Sequence, residues 1–518
     1  MGMVRLWGWR RSARPMAVVA LLVASIVWAL SWRGGLPRRV HASGPAAGKP
    51  NILILVGDDH AAYTLGADGD PRGATPRIDA LAAQGVTFRR AYCNSPVCTP
   101  SRQSFITGRL PHAVGVTRLN TPLSDSAITL GDWLGDLGYA TAAYGKMHFN
   151  SRQAHGFADR VDTPDWERSL KAGGGPEAVN DRRKPWRPMR DPASVWLNAG
   201  AAPFGLPDRA MESTYYADRA AEFFRRPRDG PFALVVGFAE PHSPFKFPDD
   251  WPRRYRPEDF AVPPGGAADP GETPKVFRDL TPEQSQGIRA AYYTSVSYLD
   301  SKVGRILDAL EASGKARETI VVYLGDNGYL LGQHGRFEKH CLYEPAVRVP
   351  LIVRWPGRLP AGRAVDDLVE LVDLMPTLLD LAGIDPPPGL HGRSLAALAR
   401  GEPGSRGRAF VFSEYLENEE AMVSDGRHKL IVRTGRRHRR DGYETDDPTP
   451  GPSLRLYDLA ADPVEDVDLS GRPDLAATKN RLLDELLSRL TTTRRPDDPP
   501  PAGLGRIETI RRCLVPRD

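Results

Sequence analysis

The 518-residue chain is 41% hydrophobic, enough to bury a large core in two or three structural units, which excludes a low-complexity protein. Its formal charge of +5 is local: residues 1–42 hold seven arginines and no acid, and without them the charge is −2, so no basic footprint for nucleic acid remains. Cys93, Cys98, Cys341 and Cys513 are too few and scattered for a disulfide framework and form no Cys-x-x-Cys zinc spacing, though a bridge from Cys93 to Cys341 or Cys513 stays open.

In chain order, Arg5, Arg10, Arg11 and Arg14 precede an uncharged stretch, residues 16–32, and Val40-His41-Ala42 has the small residues of a cleavage site. The pattern predicts export, with residues 1–42 as a signal peptide or, uncleaved, an N-terminal membrane anchor. The protein would then be periplasmic, extracellular or anchored facing outward.

Four later apolar runs each stop at reactive side chains. Residues 52–56 end in Gly57-Asp58-Asp59-His60, residues 139–144 in Gly145-Lys146-Met147-His148, residues 232–238 before Glu240-Pro241-His242, and residues 319–324 in Gly325-Asp326-Asn327-Gly328. Continuous apolar runs suit strands buried on both faces. Helical patterns alternate with them, at residues 78–84, at residues 128–137, and as a stripe of Val296, Leu299, Val303, Ile306 and Leu310 before Gly314. The alternation predicts an α/β fold, a large mostly parallel sheet flanked by helices. Ligands of such sheets bind beyond the carboxyl ends of the strands, where Asp58, Asp59, Lys146, His148, His242, Asp326 and Asn327 would gather.

A helical pattern at residues 368–382 precedes Pro386-Pro387-Pro388-Gly389 and Gly401-Glu402-Pro403-Gly404, which punctuate the end of the main unit. The expected division is a leader at 1–42, a catalytic domain at 50–400, a smaller C-terminal α+β subdomain at 408–490 and a loose tail at 494–518. The subdomain has strand-like residues 422–423 and 430–432, a charged loop at 436–447 and a final helix from Leu475.

Between the first two strand ends stands Cys98-Thr99-Pro100-Ser101-Arg102. Thr99 is expected to cap a helix with Pro100 in its first position, so amide dipoles would converge near Cys98 and favour a negative group. Arg102, one turn on, could hold a nucleophile or an oxyanion. Asp58-Asp59 with Asp326-Asn327 offer an all-oxygen ligand set for a hard divalent cation, calcium or magnesium.

With Gln103-Ser104-Phe105-Ile106-Thr107-Gly108-Arg109 behind it, the cysteine run resembles the signature of the type I sulfatases, and the resemblance covers about residues 50 to 490. It extends over Gly145-Lys146-Met147-His148, with methionine where tryptophan is common, over Pro241-His242-Ser243-Pro244-Phe245, and over Glu338-Lys339-His340-Cys341-Leu342-Tyr343-Glu344. Leu456-Tyr457-Asp458-Leu459 to Glu465-Asp466 also fits. The resemblance implies the alkaline-phosphatase-like fold and a sulfuric ester hydrolase acting on a sulfate monoester of a carbohydrate or other small alcohol. It further implies that a formylglycine-generating enzyme oxidises Cys98 to formylglycine (3-oxoalanine), whose hydrate attacks sulfur, and that one calcium ion, with magnesium as the alternative, is held by Asp58, Asp59, Asp326, Asn327 and the modified Cys98.

Roles carried over by the resemblance are sulfate neutralisation by Lys146 and Lys339 and support of the nucleophile by Arg102. His242, alone or with Lys339, would protonate the departing alcohol, and His148 would take the proton from the second hydroxyl so that sulfate is released. His60, His334 and His340 receive no role; His60 is open between the leaving group and a turn. Asp181-Arg182-Arg183-Lys184-Pro185-Trp186-Arg187 is open between a solvated loop and a rim for a sulfated sugar. Two other readings remain, a phosphate or phosphonate monoester hydrolase of the same superfamily and an inactive exported binding protein.

Overall fold

Backbone groups of an apolar run can be buried only if neighbouring strands satisfy them. Eight such segments do this for one another in a single sheet: β1 (Asn51–Gly57), β2 (Val86–Phe88), β4 (Ala140–Gly145), β5 (Asp159–Val161), β6 (Phe232–Gly237), β7 (Thr319–Gly325), β9 (Leu351–Arg354) and β10 (Arg363–Val365). Their spatial order is β10-β2-β9-β7-β1-β6-β4-β5. Shorter strands β3 (Ala91–Tyr92), β8 (Arg348–Val349) and β11 (Val369–Glu370) form a second sheet. This computed structural model describes residues 48–173, 188–261, 273–433, 442–445, 451–495, 497–499 and 502–516. The expected leader, the Asp181–Arg187 stretch and most of the 436–447 loop lie outside the described residues. Among those described, no helix is long and apolar enough to cross a membrane.

The four runs singled out in the sequence are the central strands, all mutually parallel, with β1 between β6 and β7 and β4 beyond β6. Only β9 opposes them, pairing antiparallel with β7 and β2. Alternation of side chains supplies both faces: Ile52, Ile54 and Val56 enter one buried cluster, Leu53 and Leu55 the other. Helices Pro282–Ala312 and Glu212–Arg225 cover the second face, while Cys98–Thr107 and Leu374–Leu381 lie against the first.

Register brings the strand ends level. Val56 pairs with Gly237, Gly57 with Gly325 and Gly145 with Gly237, so the residues after each terminal glycine emerge side by side. Gly145 has φ 82°, and a Cβ on it would come within 2.1 Å of the Gly237 carbonyl oxygen. Only glycine lets the chain cross there.

The C-terminal part is an antiparallel sheet, β12 (Val411–Tyr415), β13 (Glu420–Ser424), β14 (His428–Arg433) and β15 (Ser453–Asp458). Leu482, Leu483, Leu486 and Leu490 of helix Ala476–Thr492 pack on Val423, Leu430, Val432 and Leu456. The expected loose tail needs correction: Arg506–Cys513 is a helix whose Ile510, with Cys513 and Leu514, is buried in that same cluster. The pattern at 368–382 also divides, into β11, a 3-10 turn at Leu371–Asp373 and helix Leu374–Leu381. All four cysteines are buried and free, so no bridge leaves Cys93. The two sheets do not separate, because Ala46–Asp518 forms one compact unit.

Candidate active site

The level strand ends deliver Asp58, Asp59, Lys146, His242 and Asp326 to one place, and helix Cys98–Thr107 points its first turn at them. The cap of that helix departs from expectation. Val97 stands at the N-cap with no side-chain hydrogen bond and Cys98 is the first helical residue, so Thr99 is inside the helix and free for another task.

Three buried carboxylates, Asp58, Asp59 and Asp326, bring oxygens within 4.8 Å of one another. Three buried or half-buried cations answer them. Arg102 Nε donates to Asp326 Oδ2 at 2.7 Å, Lys339 Nζ to Asp59 Oδ1 at 2.6 Å, and Lys146 Nζ pairs with Asp58. Burial alone would raise the Asp58 pKa, but Lys146, His242, Arg102 and Lys339 outweigh it and hold the group well below the carboxylate range. At Asp326 burial wins over Arg102, with Asp58 and Asp59 adding repulsion, and the pKa rises to about 6.

Despite this pairing, Asp59 Oδ2 and Asn327 Oδ1 are buried without a hydrogen-bond partner. Each is an oxygen acceptor in a site where acceptors outnumber the donors that reach them, and a buried acceptor left unpaired is costly. A divalent cation bound by Asp58, Asp59, Asp326 and Asn327 fits these atoms, and the all-oxygen set fits a hard one. Backbone geometry supports the same spot: Asp59 N–H donates to Asp326 Oδ1 at 3.0 Å and Asp59 has φ 63°, a strained conformation for a residue with a side chain.

Cys98 is present as the free thiol. Lys339 Nζ lies 2.6 Å and Lys146 Nζ 3.8 Å from Sγ, and Sγ–H faces Asp58 Oδ1 at 3.2 Å. Burial, with Asp58 adding to it, pushes the thiol far above its usual pKa in spite of both lysines. Cys98 as the thiol is therefore neutral and a poor nucleophile.

The histidines divide by their hydrogen bonds. Thr99 Oγ1 gives its proton to Leu119 O at 2.6 Å and so accepts from His148 Nδ1 at 3.2 Å. That assignment fixes the tautomer: Nδ1 carries the hydrogen and Nε2 keeps a lone pair. Burial, with Lys146 and Arg102 nearby, lowers the His148 pKa to about 2, so the ring is a neutral base. His148 also has φ 56°. His242 donates from Nδ1 to Ser243 O at 2.7 Å and turns Nε2 toward Asp59 Oδ2 at 3.7 Å, with 35% of its side chain exposed. Burial lowers its pKa and the Asp59 charge opposes that. Its free nitrogen thus faces Asp59 while part of the side chain reaches solvent.

The structure brings every expected site residue together. Arg102 differs in detail, because its guanidinium is committed to Asp326 and to the Lys146 carbonyl rather than to Cys98. His60 neither lines the mouth nor makes a turn contact; it is buried with Nδ1 2.5 Å from the Tyr323 hydroxyl, and burial drops its pKa to about 3. His334 stacks on Tyr343, and His340 lies tilted against Tyr443 with ring centroids 4.6 Å apart. Two contributors were not read from the sequence. Thr99 sets the His148 tautomer, and Tyr292, whose hydroxyl donates to Asp59 O at 2.6 Å and accepts from Ala61 N at 3.0 Å, props the metal loop.

Comparisons with known proteins agree with this geometry. A family model described as Sulfatase matches residues 50–384, and one described as N-sulphoglucosamine sulphohydrolase, C-terminal, matches residues 332–492. An ulvan-active sulfatase of Formosa agariphila is 30% identical, over 85% of this chain and 81% of its own. A choline-sulfatase of Rhizobium meliloti is 30% identical, over 82% of this chain and 83% of its own. Among solved structures, the phosphonate monoester hydrolase of Agrobacterium radiobacter superposes with a TM-score of 0.72 at 24% identity, covering 85% of this chain and 95% of that one, which shows a shared fold.

Proposed function

The chain belongs to the sulfatase family, and from that premise we propose a specific reading of this sulfuric ester hydrolase: its substrate is a sulfated carbohydrate, its metal is calcium, and Cys98 works after conversion to formylglycine by a modifying enzyme. Members of the family use a metal ion and formylglycine. The observation that carries the reading is the convergence on Cys98 of two lysine ammonium groups beside orphaned carboxylate and amide oxygens.

Loaded, the cation would supply positive charge against the sulfate and the aldehyde hydrate the attacking oxygen. The chain's own groups do the rest. Lys146 and Lys339 bind sulfate oxygens and neutralise the charge that grows on them. Arg102 holds Asp326 and, through the Lys146 carbonyl, the start of the loop that carries Lys146. His148 Nε2 accepts a proton; His242, once protonated on the Nε2 that faces Asp59 Oδ2 at 3.7 Å, delivers that proton to the alcohol oxygen and returns to the neutral ring. Calcium is favoured over magnesium by a ligand set made of several side-chain oxygens, since magnesium usually keeps several waters and takes one or two carboxylates. A sulfated carbohydrate is favoured by the similarity to an ulvan-active sulfatase; choline sulfate is the competing small substrate. The leader pattern at 1–42 supports export.

Two measurements test the reading. Peptide mass spectrometry of the active fraction should find a carbonyl or its hydrate in place of the Cys98 thiol, and full activity from an all-thiol preparation would refute the formylglycine route. Turnover of matched aryl sulfate, phosphate and phosphonate esters, then of sulfated sugars and choline sulfate, should rank sulfate first and sugars above choline. Faster phosphonate cleavage would instead make the fold relationship to the Agrobacterium enzyme functional, and binding without turnover would make the protein a receptor.

A further inference from the structure

A turn that leaves a sheet and must aim a side chain needs its carbonyls paired, because a buried C=O without a donor is costly. After β4, three successive carbonyls, those of Lys146, Met147 and His148, are taken by side chains of helix Cys98–Thr107. Arg102 Nη1 donates to Lys146 O. Gln103 Nε2 donates to Met147 O at 3.2 Å and to His148 O at 2.7 Å. Gln103 is wholly buried, and no main-chain N–H among the described residues reaches either of its two carbonyls. Chemistry fixes the amide orientation: turned over, Oε1 would face two carbonyl oxygens, acceptor against acceptor.

Gln103 does for the backbone of His148 what Thr99 does for the ring. The two lie one turn apart on one helix face, and Thr99 Oγ1 meets His148 Nδ1 at 3.2 Å. His148 has φ 56°, a left-handed backbone that a residue with a side chain disfavours. Both peptides that flank its Cα have their carbonyls clamped by the one amide. Lys146 is held independently, its N–H by Gly237 O at 2.8 Å and its carbonyl by Arg102.

We propose that Gln103 is a positioning residue for His148, aiming Nε2 at the proton whose removal releases sulfate. The proposal rests on the reading of His148 as that base. Without the clamp the His148 backbone can leave its left-handed conformation and carry Nε2 away, which slows sulfate release. Sulfate binding and departure of the alcohol continue, because Lys146, Lys339 and His242 are held by other groups.

The test is a double-mutant cycle with an aryl sulfate. Rates are expressed per aldehyde-bearing molecule, counted by peptide mass spectrometry, because Gln103 directly follows the cysteine run. Gln103→Leu keeps an apolar bulk and removes both donors. It should lower kcat by about tenfold to a hundredfold, the loss that a misplacement of about 1 Å brings. Because only the second half-reaction slows, KM should fall with kcat, kcat/KM should stay within about twofold, and about one phenol per site should appear in a burst. A residue that merely supports the fold would lower kcat/KM instead. On the His148→Ala background, Gln103→Leu should change kcat by less than about twofold. Wild-type kcat in Gln103→Leu, or losses that multiply across the two positions, would overturn the proposal. His148→Ala with undiminished kcat would sink the reading of His148 itself, and the proposal with it. Should the leucine variant not fold, Gln103→Glu carries the same cycle, having the glutamine shape and at most one donor.

Discussion

Two buried charge clusters, one around Cys98 and one where the C-terminal sheet meets the main body, are made of the same residue types and behave differently. At the junction every carboxylate oxygen of Glu370 and Asp373 is engaged. Glu370 accepts from Phe412 N at 3.0 Å, Asn94 Nδ2 at 3.1 Å and Arg489 Nη2 at 2.7 Å; Asp373 accepts from Arg393 N at 2.9 Å, Glu370 N at 3.0 Å and Arg408 Nε at 2.9 Å. At the catalytic centre, with equally buried acids, Asp59 Oδ2, Asn327 Oδ1 and Arg102 Nη2 stay unmatched. Carboxylates with every oxygen engaged fix two parts of a fold, even though Arg489 Nε beside them is unmatched, whereas spare carboxylate and amide acceptors are shaped for something that arrives later.

The strongest way to break this contrast is to remove charge without shape. Asp326→Asn should lower kcat/KM by about a hundredfold to a thousandfold, the usual size of a lost transition-state electrostatic contact, and should lower the unfolding midpoint less than the junction variant below does, because Arg102 loses its Asp326 partner but keeps Asp58 at 3.6 Å. Metal analysis should show reduced occupancy. A large stability loss with normal turnover would show that Asp326 belongs to the sealed kind of network.

Arg408→Ala is the reciprocal variant. It leaves Asp373 without its guanidinium, and a broken buried pair costs about 3–5 kcal/mol. Urea unfolding should register that loss, while kcat/KM per folded molecule stays close to wild type.

Within the catalytic cluster, the two histidines can be separated with an aryl sulfate, whose leaving group needs little protonation. His148→Ala should release about one phenol per site in a burst and then proceed slowly. His242→Ala should show no burst, and its defect should shrink as the leaving group becomes less basic. No burst in either variant would mean that the division drawn from Thr99 and Ser243 is wrong.

The smallest expected effect sharpens the junction side. Glu344 and Glu465 share one buried Lys429, at 3.1 Å and 2.7 Å. Burial holds the Glu465 pKa above the ordinary glutamate range, at about 7, with Glu344 adding to the rise and Lys429 opposing it. The folded state then binds this proton more tightly than the unfolded chain. Its contribution to stability is full below about pH 4.3 and is lost as pH rises through the folded value, with a slope near 1.4 kcal/mol per pH unit. Glu465→Gln should flatten that part of the stability profile, and an unchanged slope would mean that Glu465 is already ionised throughout.

Much of this was legible before the fold was known. Each central strand is an uninterrupted apolar run, and each ends at a polar residue that reaches the site. Less legible were short strands such as β12, buried throughout yet carrying Ser413 and Glu414, and β15, which carries Arg455 and Asp458, and helix Arg506–Cys513, which is amphipathic only against a partner formed by β13 to β15 and helix Ala476–Thr492. Thr99 was misplaced as a cap because its residue type suits one, while its hydroxyl is claimed by Leu119 and His148.

The sequence by itself determined which chemistries the chain could bring together: a cysteine in a sulfatase-like run, paired acids after strands, two lysines and two histidines. Tertiary structure alone decided how they are used. Lys339 reaches Asp59 across 280 residues and Arg102 reaches Asp326 across 224, and such partnerships exist only once the register has brought the strand ends level. The tautomer of His148 and the spare oxygens of Asp59 and Asn327 are likewise properties of neighbours, and a side chain's neighbours are fixed by packing, not by its position in the chain.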